Sequence, residues 1–68
     1  MSEKELAPHQ QRVVTELDEL CDKTDKLELF ANSMIFNTLE YAERTRLSRQ
    51  LMIMKLYQQV LSERIAAF

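Results

Sequence analysis

The chain has no glycine and no tryptophan, and it carries one proline, one cysteine and one histidine among its 68 residues. Glycine is the usual residue wherever a backbone turns left-handed or approaches a phosphate closely. Its absence excludes phosphate loops and dinucleotide-binding fingerprints of the glycine-rich kind. It also disfavours an all-β architecture, which needs many tight turns.

The scarcity of cysteine and histidine limits the chemistry further. A single cysteine, Cys21, rules out a disulfide within the chain and favours a reducing, cytoplasmic compartment. His9 is twelve positions from Cys21, so the ligands of a structural metal site are not clustered in the sequence. Neither residue has the neighbouring groups that general-base or nucleophilic catalysis needs. We therefore expect no metal, no cofactor, no catalytic residue and no enzymatic activity.

Charge and hydropathy argue against two further classes of partner, nucleic acids and membranes. Nine basic and eleven acidic residues give a formal net charge of −2, which is unlike the basic footprint of a nucleic-acid-binding protein. No apolar run approaches the roughly 20 residues that span a bilayer. The first residues also lack the apolar core of a signal peptide. These features favour a folded cytoplasmic protein without a membrane partner.

The first half of the chain predicts one long helix over residues 8–31. Pro8 fits its first turn, and Asn32 is a plausible stop because asparagine tolerates the left-handed conformation that often ends a helix. Apolar residues recur at alternating steps of four and three, with one polar member, Thr24, whose hydroxyl can bond to its own helix. This heptad series comprises Val13, Leu17, Leu20, Thr24, Leu27 and Ala31. Residues 1–7 show no periodicity and are predicted to form a disordered tail, followed by a single helical dimerisation domain over residues 8–68.

The connection between the two halves contains the short apolar run Met34-Ile35-Phe36. Three residues are too few for periodicity to distinguish a strand from a loop that plugs the core. Asn37 followed by Glu40 resembles an N-cap with its reciprocal carboxylate. A second helix is therefore expected from about Leu39 to near the C-terminus.

The second helix carries more apolar surface than one neighbouring helix can cover. Leu47, Leu51, Met54, Leu61, Ile65 and Phe68 follow one helical face, and Ile53, Tyr57 and Val60 widen it to roughly half the circumference. We therefore predict a mainly α fold, a helical hairpin with a short extended segment between its helices, assembled as an intertwined homodimer. The predicted dimer interface comprises Met34, Ile35, Phe36, Leu47, Leu51, Met54, Tyr57, Leu61 and Ile65.

Two other groups on the second helix are candidates for partner contact. Met52 and Leu56 lie on its otherwise polar side and could border a groove for a host or phage protein. Arg44, Arg46 and Arg49 form the most basic region and are the candidates for nucleic-acid contact. The alternative, a solvated helix start with salt bridges to acidic neighbours, is favoured because Arg44 and Arg46 point about 200° apart on a helix.

Two end segments carry a resemblance to a known family. Pro8-His9-Gln10-Gln11-Arg12-Val13-Val14 and Leu61-Ser62-Glu63-Arg64-Ile65-Ala66-Ala67-Phe68 resemble the small early-region proteins of temperate lambda-like and Shiga-toxin bacteriophages, encoded between the exonuclease and excisionase genes. The resemblance implies a non-enzymatic early protein that favours lytic development over lysogeny. It also implies a dimer with two helices and one short strand per chain, which would pair residues 34–36 across the dimer. Relatives often have a proline before the second helix, where this chain has Thr38-Leu39-Glu40.

Overall fold

The structure is a computed structural model and describes residues 5–68. Helix α1 runs over Pro8–Ala31, a 3-10 helix over Phe36–Thr38, and helix α2 over Tyr41–Ala66. The two long helices pack against each other as a helical hairpin, and the described residues contain no strand. Neither long helix combines the length and the apolar character needed to cross a lipid bilayer. The mainly helical fold predicted from the sequence is therefore confirmed for the described part of the chain.

Helix α1 has the predicted bounds. At each of its ends, a side chain forms a hydrogen bond with a backbone group. At the start, the backbone N–H of Ala7 donates to the side-chain oxygen of Gln10 at 2.9 Å, and Pro8 fills the first helical position. At the end, the side-chain amide of Asn32 donates to the carbonyl of Glu28 at 2.9 Å. The expected left-handed conformation of Asn32 is wrong, since its φ is −96° and its ψ is 5°. The side-chain amide of Asn32 instead donates to a carbonyl of the last helical turn, so no left-handed residue is needed to end the helix.

The heptad series of α1 is its buried side. Val13 and Thr24 are buried, and Leu17, Leu20 and Leu27 are half-buried. Thr24 is 2% exposed, and its hydroxyl donates to the carbonyl of Leu20 at 2.7 Å, as the sequence predicted. The one polar member of the series is thus satisfied within its own helix and needs no partner from α2.

Substitutions at Thr24 test this account of the buried hydroxyl. Thr24→Val keeps the volume and leaves the Leu20 carbonyl with its helical N–H donor, so we expect unchanged or slightly higher stability. Thr24→Ala leaves a small cavity and should lower the free energy of unfolding by about 1 kcal/mol. Urea unfolding of both variants at one protein concentration measures the difference. A Thr24→Val variant less stable than Thr24→Ala would contradict a purely local role for the hydroxyl.

The connection between the helices is turned and helical, not extended. Ile35 has helical dihedrals, with φ −61° and ψ −37°. Successive N–H groups of Asn37, Thr38 and Leu39 donate to carbonyls three residues earlier, at 3.1, 3.0 and 3.1 Å. The extended segment expected over residues 34–36, and the strand that the resemblance implied there, are not found in the described residues. A strand needs a neighbouring strand for its backbone groups, whereas these local bonds satisfy the backbone within one chain.

Helix α2 begins two residues later than expected. Its N-cap is Glu40, whose side chain makes no capping hydrogen bond, and Asn37 lies inside the 3-10 helix. The interpretation of Asn37 as the N-cap is therefore wrong. Leu39 is extended, with φ −75° and ψ 155°, and this conformation separates the 3-10 helix from α2.

The predicted disordered tail at residues 1–7 falls mostly outside the described residues, which begin at Glu5. Residues 5–7 precede α1 without helical structure.

Candidate protein-binding surface

Helix α2 presents two apolar faces, and the first of them closes the hairpin. Leu61 is completely buried within the single chain. Four further apolar residues on the same side of α2 are half-buried: Leu47, Leu51, Met54 and Ile65. The spacing of these five residues places them on one helical stripe, which we call the seam of α2. Five of the nine residues predicted for the dimer interface therefore lie on the side of α2 that carries this buried core.

The second face of α2 remains exposed. We call it the outer face, and it comprises Met52, Ile53, Leu56, Tyr57 and Val60. These residues are separated by one, three, one and three positions, so they form one continuous stripe of about 12 Å along the helix. Their exposed fractions range from 43% for Tyr57 to 62% for Met52. Soluble monomers rarely leave a continuous apolar patch of this kind in water, and such a patch usually marks an interaction site.

Several residues predicted to contact a second copy or a protein partner are exposed. The structure places some of them on the outer face and others in the connection between the helices. Tyr57, from the predicted dimer interface, and Met52 and Leu56, from the predicted partner groove, come together on the outer face. Met34 and Ile35 are exposed in the connection, at 85% and 63%. Phe36 is half-buried, and its ring meets that of Phe30 edge-on, with centroids 6.1 Å apart.

Two residues of the outer face were absent from the predicted site, Ile53 and Val60. The sequence did contain their signal, because both widen the apolar arc of α2 at helical spacing. Two further exposed apolar residues lie elsewhere: Leu29 near the end of α1 and Tyr41 at the start of α2, each about three-quarters exposed. Neither belongs to the seam or to the outer face.

Polar contacts hold the two helices together on both sides of the seam. The ammonium group of Lys55 lies 2.7 Å from a carboxylate oxygen of Glu28, and the hydroxyl of Tyr57 donates to the carboxylate of Glu16. Lys55 is the only charged residue between Met52 and Val60. Its ammonium group pairs with Glu28 on α1. Charged residues border the outer face only at its two ends, three or four positions away along the helix: Arg49 at one end, and Glu63 and Arg64 at the other.

The three arginines predicted for nucleic-acid contact do not form one basic stripe. Arg46 is paired with Glu43, with a nitrogen–oxygen distance of 2.8 Å. The guanidinium of Arg44 lies over the ring of Tyr41, 5.8 Å from its centroid. Arg49 is exposed, and neither it nor Arg44 forms an ion pair within residues 5–68. Nucleic-acid binding through all three residues gains no support from this geometry.

An open hollow of about 480 Å³ lies between the 3-10 helix and the first turns of α2, and Arg44 and Arg49 are among the residues that line it. It is lined by three large apolar or aromatic residues, Phe36, Tyr41 and Met52. The short hydroxyl side chains of Thr45 and Ser48 complete the lining beside the two arginines. Met52 belongs both to this hollow and to the outer face, so the two surfaces are continuous.

Comparison with known proteins gives one positive result. No curated protein and no solved structure matches the chain. The model of the Sequestin family matches residues 7–67, which include both long helices and the connection between them. With nearly the whole sequence matched, the chain belongs to the Sequestin family.

Proposed function

We propose that this chain is a non-enzymatic binding protein that forms a homodimer and holds a protein partner. The outer face of α2 carries the proposal, because five large side chains there remain 43–62% exposed in the hairpin. The family name also supports a binding role, since it suggests sequestration of a partner protein.

A second copy of the chain is the occupant we propose for the outer face. A two-fold dimer brings the same patch of both subunits together, so the patch must be compatible with itself. The outer face is apolar, and the charge of Lys55 within this stretch of α2 is paired with Glu28. Two such faces can therefore meet through an apolar centre. Burying them removes apolar surface from water, which is the main driving force of protein association.

Sedimentation equilibrium over a dilution series, with circular dichroism on the same samples, tests the dimer. We expect a homodimer at concentrations of about 100 μM and dissociation as the chain is diluted toward its dissociation constant. Helix content should fall with dissociation, because a hairpin this small has little core of its own. A stable, fully helical monomer at the highest concentration would mean that the second copy is not the occupant.

We further propose that the protein acts early in bacteriophage development, in the bacterial cytoplasm, and favours lytic growth by sequestering a host or phage protein. The resemblance of residues 8–14 and 61–68 to temperate-phage early proteins supports this setting. Expression of the chain in a lysogen should raise the fraction of cells that release phage. An unchanged release by a folded and abundant protein would contradict the lytic role.

A further inference from the structure

The hollow at the start of α2 combines a row of large and short side chains with charged residues, whereas the outer face is apolar. Tyr41, Thr45, Ser48 and Met52 follow one another at steps of four, three and four, which places them on one row of the helix. The two middle residues have short side chains and the two end residues have large ones, so the surface of the helix is recessed at the centre of the row. Phe36, from the 3-10 helix, also lines the hollow. The result is an apolar recess with hydroxyl groups along its row.

Arginines stand on both sides of this row. At about 100° per residue, Arg44 falls on one flank of the row and Arg49 on the other. Neither has a carboxylate partner among residues 5–68, in contrast to Arg46, which pairs with Glu43 outside the hollow. The Nε atom of Arg44 is buried and has no hydrogen-bond partner in that part of the chain. A guanidinium carries five N–H donors and is the side chain best suited to bind a carboxylate through paired hydrogen bonds.

We infer that this hollow recognises an acidic amphipathic segment of a protein partner. In this mode of binding, an apolar side chain of the partner enters the recess between Phe36, Tyr41 and Met52. Carboxylates on its two flanks then meet Arg44 and Arg49. The volume of about 480 Å³ suits one or two side chains of a docked segment. The inference rests on the proposed function as a protein-binding chain and names the chemistry of its partner.

The observations favour an acidic protein segment over a nucleic acid. A phosphate backbone is bound by a series of cations, and here Arg46 is already neutralised by Glu43. The formal net charge of −2 does not favour a long polyanion that runs over the surface, whereas a short segment meets only the charges around the hollow. Two arginines around an apolar recess instead match a short segment that alternates carboxylates with large apolar side chains.

Binding of synthetic peptides to the full chain tests the inference. The probe is a fluorescently labelled helical peptide of about three turns, with leucines on one face and glutamates on both flanks of that face. Two matched peptides replace either the glutamates by lysines or the leucines by serines. Fluorescence anisotropy should show binding of the first peptide, with a dissociation constant of about 10–100 μM, and much weaker binding of the other two. Added salt should weaken the binding, because the arginine–carboxylate contacts are exposed to solvent.

Arginine variants locate the site. Arg44→Gln combined with Arg49→Gln should raise the dissociation constant of the acidic peptide at least about tenfold, since two charge-assisted contacts are lost. Arg46→Gln is the matched control, because it removes the same charge from the same helix outside the hollow, and it should leave binding within about twofold. Equal binding of the lysine peptide, an unchanged affinity in the double variant, or tighter binding of a single-stranded oligothymidine would each overturn the inference.

The same variants separate this inference from the proposed homodimer. The double arginine variant should keep the wild-type dimer dissociation constant in sedimentation equilibrium, because the outer face is intact. A weakened dimer would mean that a second copy of the chain fills the hollow, which would overturn the inference. A chain that binds the acidic peptide but stays monomeric would reject the dimer and retain the hollow as a binding site.

Discussion

Leu61→Asp is expected to unfold the chain. Leu61 is completely buried, and only Val13 and Thr24 are similarly covered among the described residues. A carboxylate at this position would be removed from water, and burying an unpaired charge costs several kcal/mol. Domains of this size have only a few kcal/mol of net stability, so one such change removes most of it. Circular dichroism should show loss of helix at a temperature where the wild-type chain is folded.

Gln59→Asp is the matched control for that variant. It introduces the same side chain two positions away, at an exposed site of the same helix. Its helix content should stay close to that of the wild type, because surface substitutions usually change stability by less than about 0.5 kcal/mol. Leu51→Asp, at a half-buried position of the seam, should fall between the two. A folded Leu61→Asp variant with a melting temperature near that of the wild type would show that Leu61 is not essential to the core.

Ile53→Glu combined with Leu56→Glu should convert the proposed dimer to a monomer. Both side chains are more than half exposed in the single chain, at 57% and 56%, so the substitutions themselves remove little packing within one hairpin. Any loss of helix should therefore follow from dissociation of the dimer. In a dimer through the outer face, however, the two substitutions place four carboxylates in an apolar interface. If each of the two substituted positions costs about 2 kcal/mol in total over both subunits, the two together cost about 4 kcal/mol and the dissociation constant rises about a thousandfold. Sedimentation equilibrium at matched concentrations measures this shift directly.

Ser62→Glu serves as the control for charge alone, because Ser62 is exposed and, at about 100° per residue, lies on the opposite side of α2 from Ile53 and Val60. We expect its dimer dissociation constant to remain near the wild-type value. If the double variant associates as tightly as Ser62→Glu and the wild type, the outer face does not mediate dimerisation. The proposal would then fail although the hairpin remained folded.

Helix α1 shows which structural features can be predicted from local sequence patterns. Its bounds and the internal hydrogen bond of Thr24 were both predictable. Heptad spacing and the reach of a threonine hydroxyl to its own helix depend only on neighbouring residues. The end of the helix at Asn32 was also predictable, but the conformation there was not. Asparagine can end a helix by turning left-handed or by donating its side-chain amide, and only the structure shows that the amide is used.

The connection and the start of α2 were predicted less well. The run Met34-Ile35-Phe36 has too few residues for a period, and its sequence is compatible with a strand, a loop or a turn of helix. In the structure, N–H groups in this segment bond to carbonyls three residues earlier, which moves the N-cap of α2 from Asn37 to Glu40. A sequence pattern does not rank such local alternatives, because each satisfies the same backbone groups at similar cost.

The sequence by itself determined that this protein has two long helices, no glycine-dependent site, and a second helix with more apolar surface than one partner helix can cover. Only the tertiary structure decided which part of that surface is used within the hairpin. Helix α1 offers one heptad stripe, so it can cover only one stripe of α2, and the stripe containing Leu61 is the one it covers. The contacts of Glu28 with Lys55 and of Glu16 with Tyr57 join the two helices on either side of this buried stripe. The outer face is left in water for this reason, and the periodicity of α2 alone could not distinguish it from the seam.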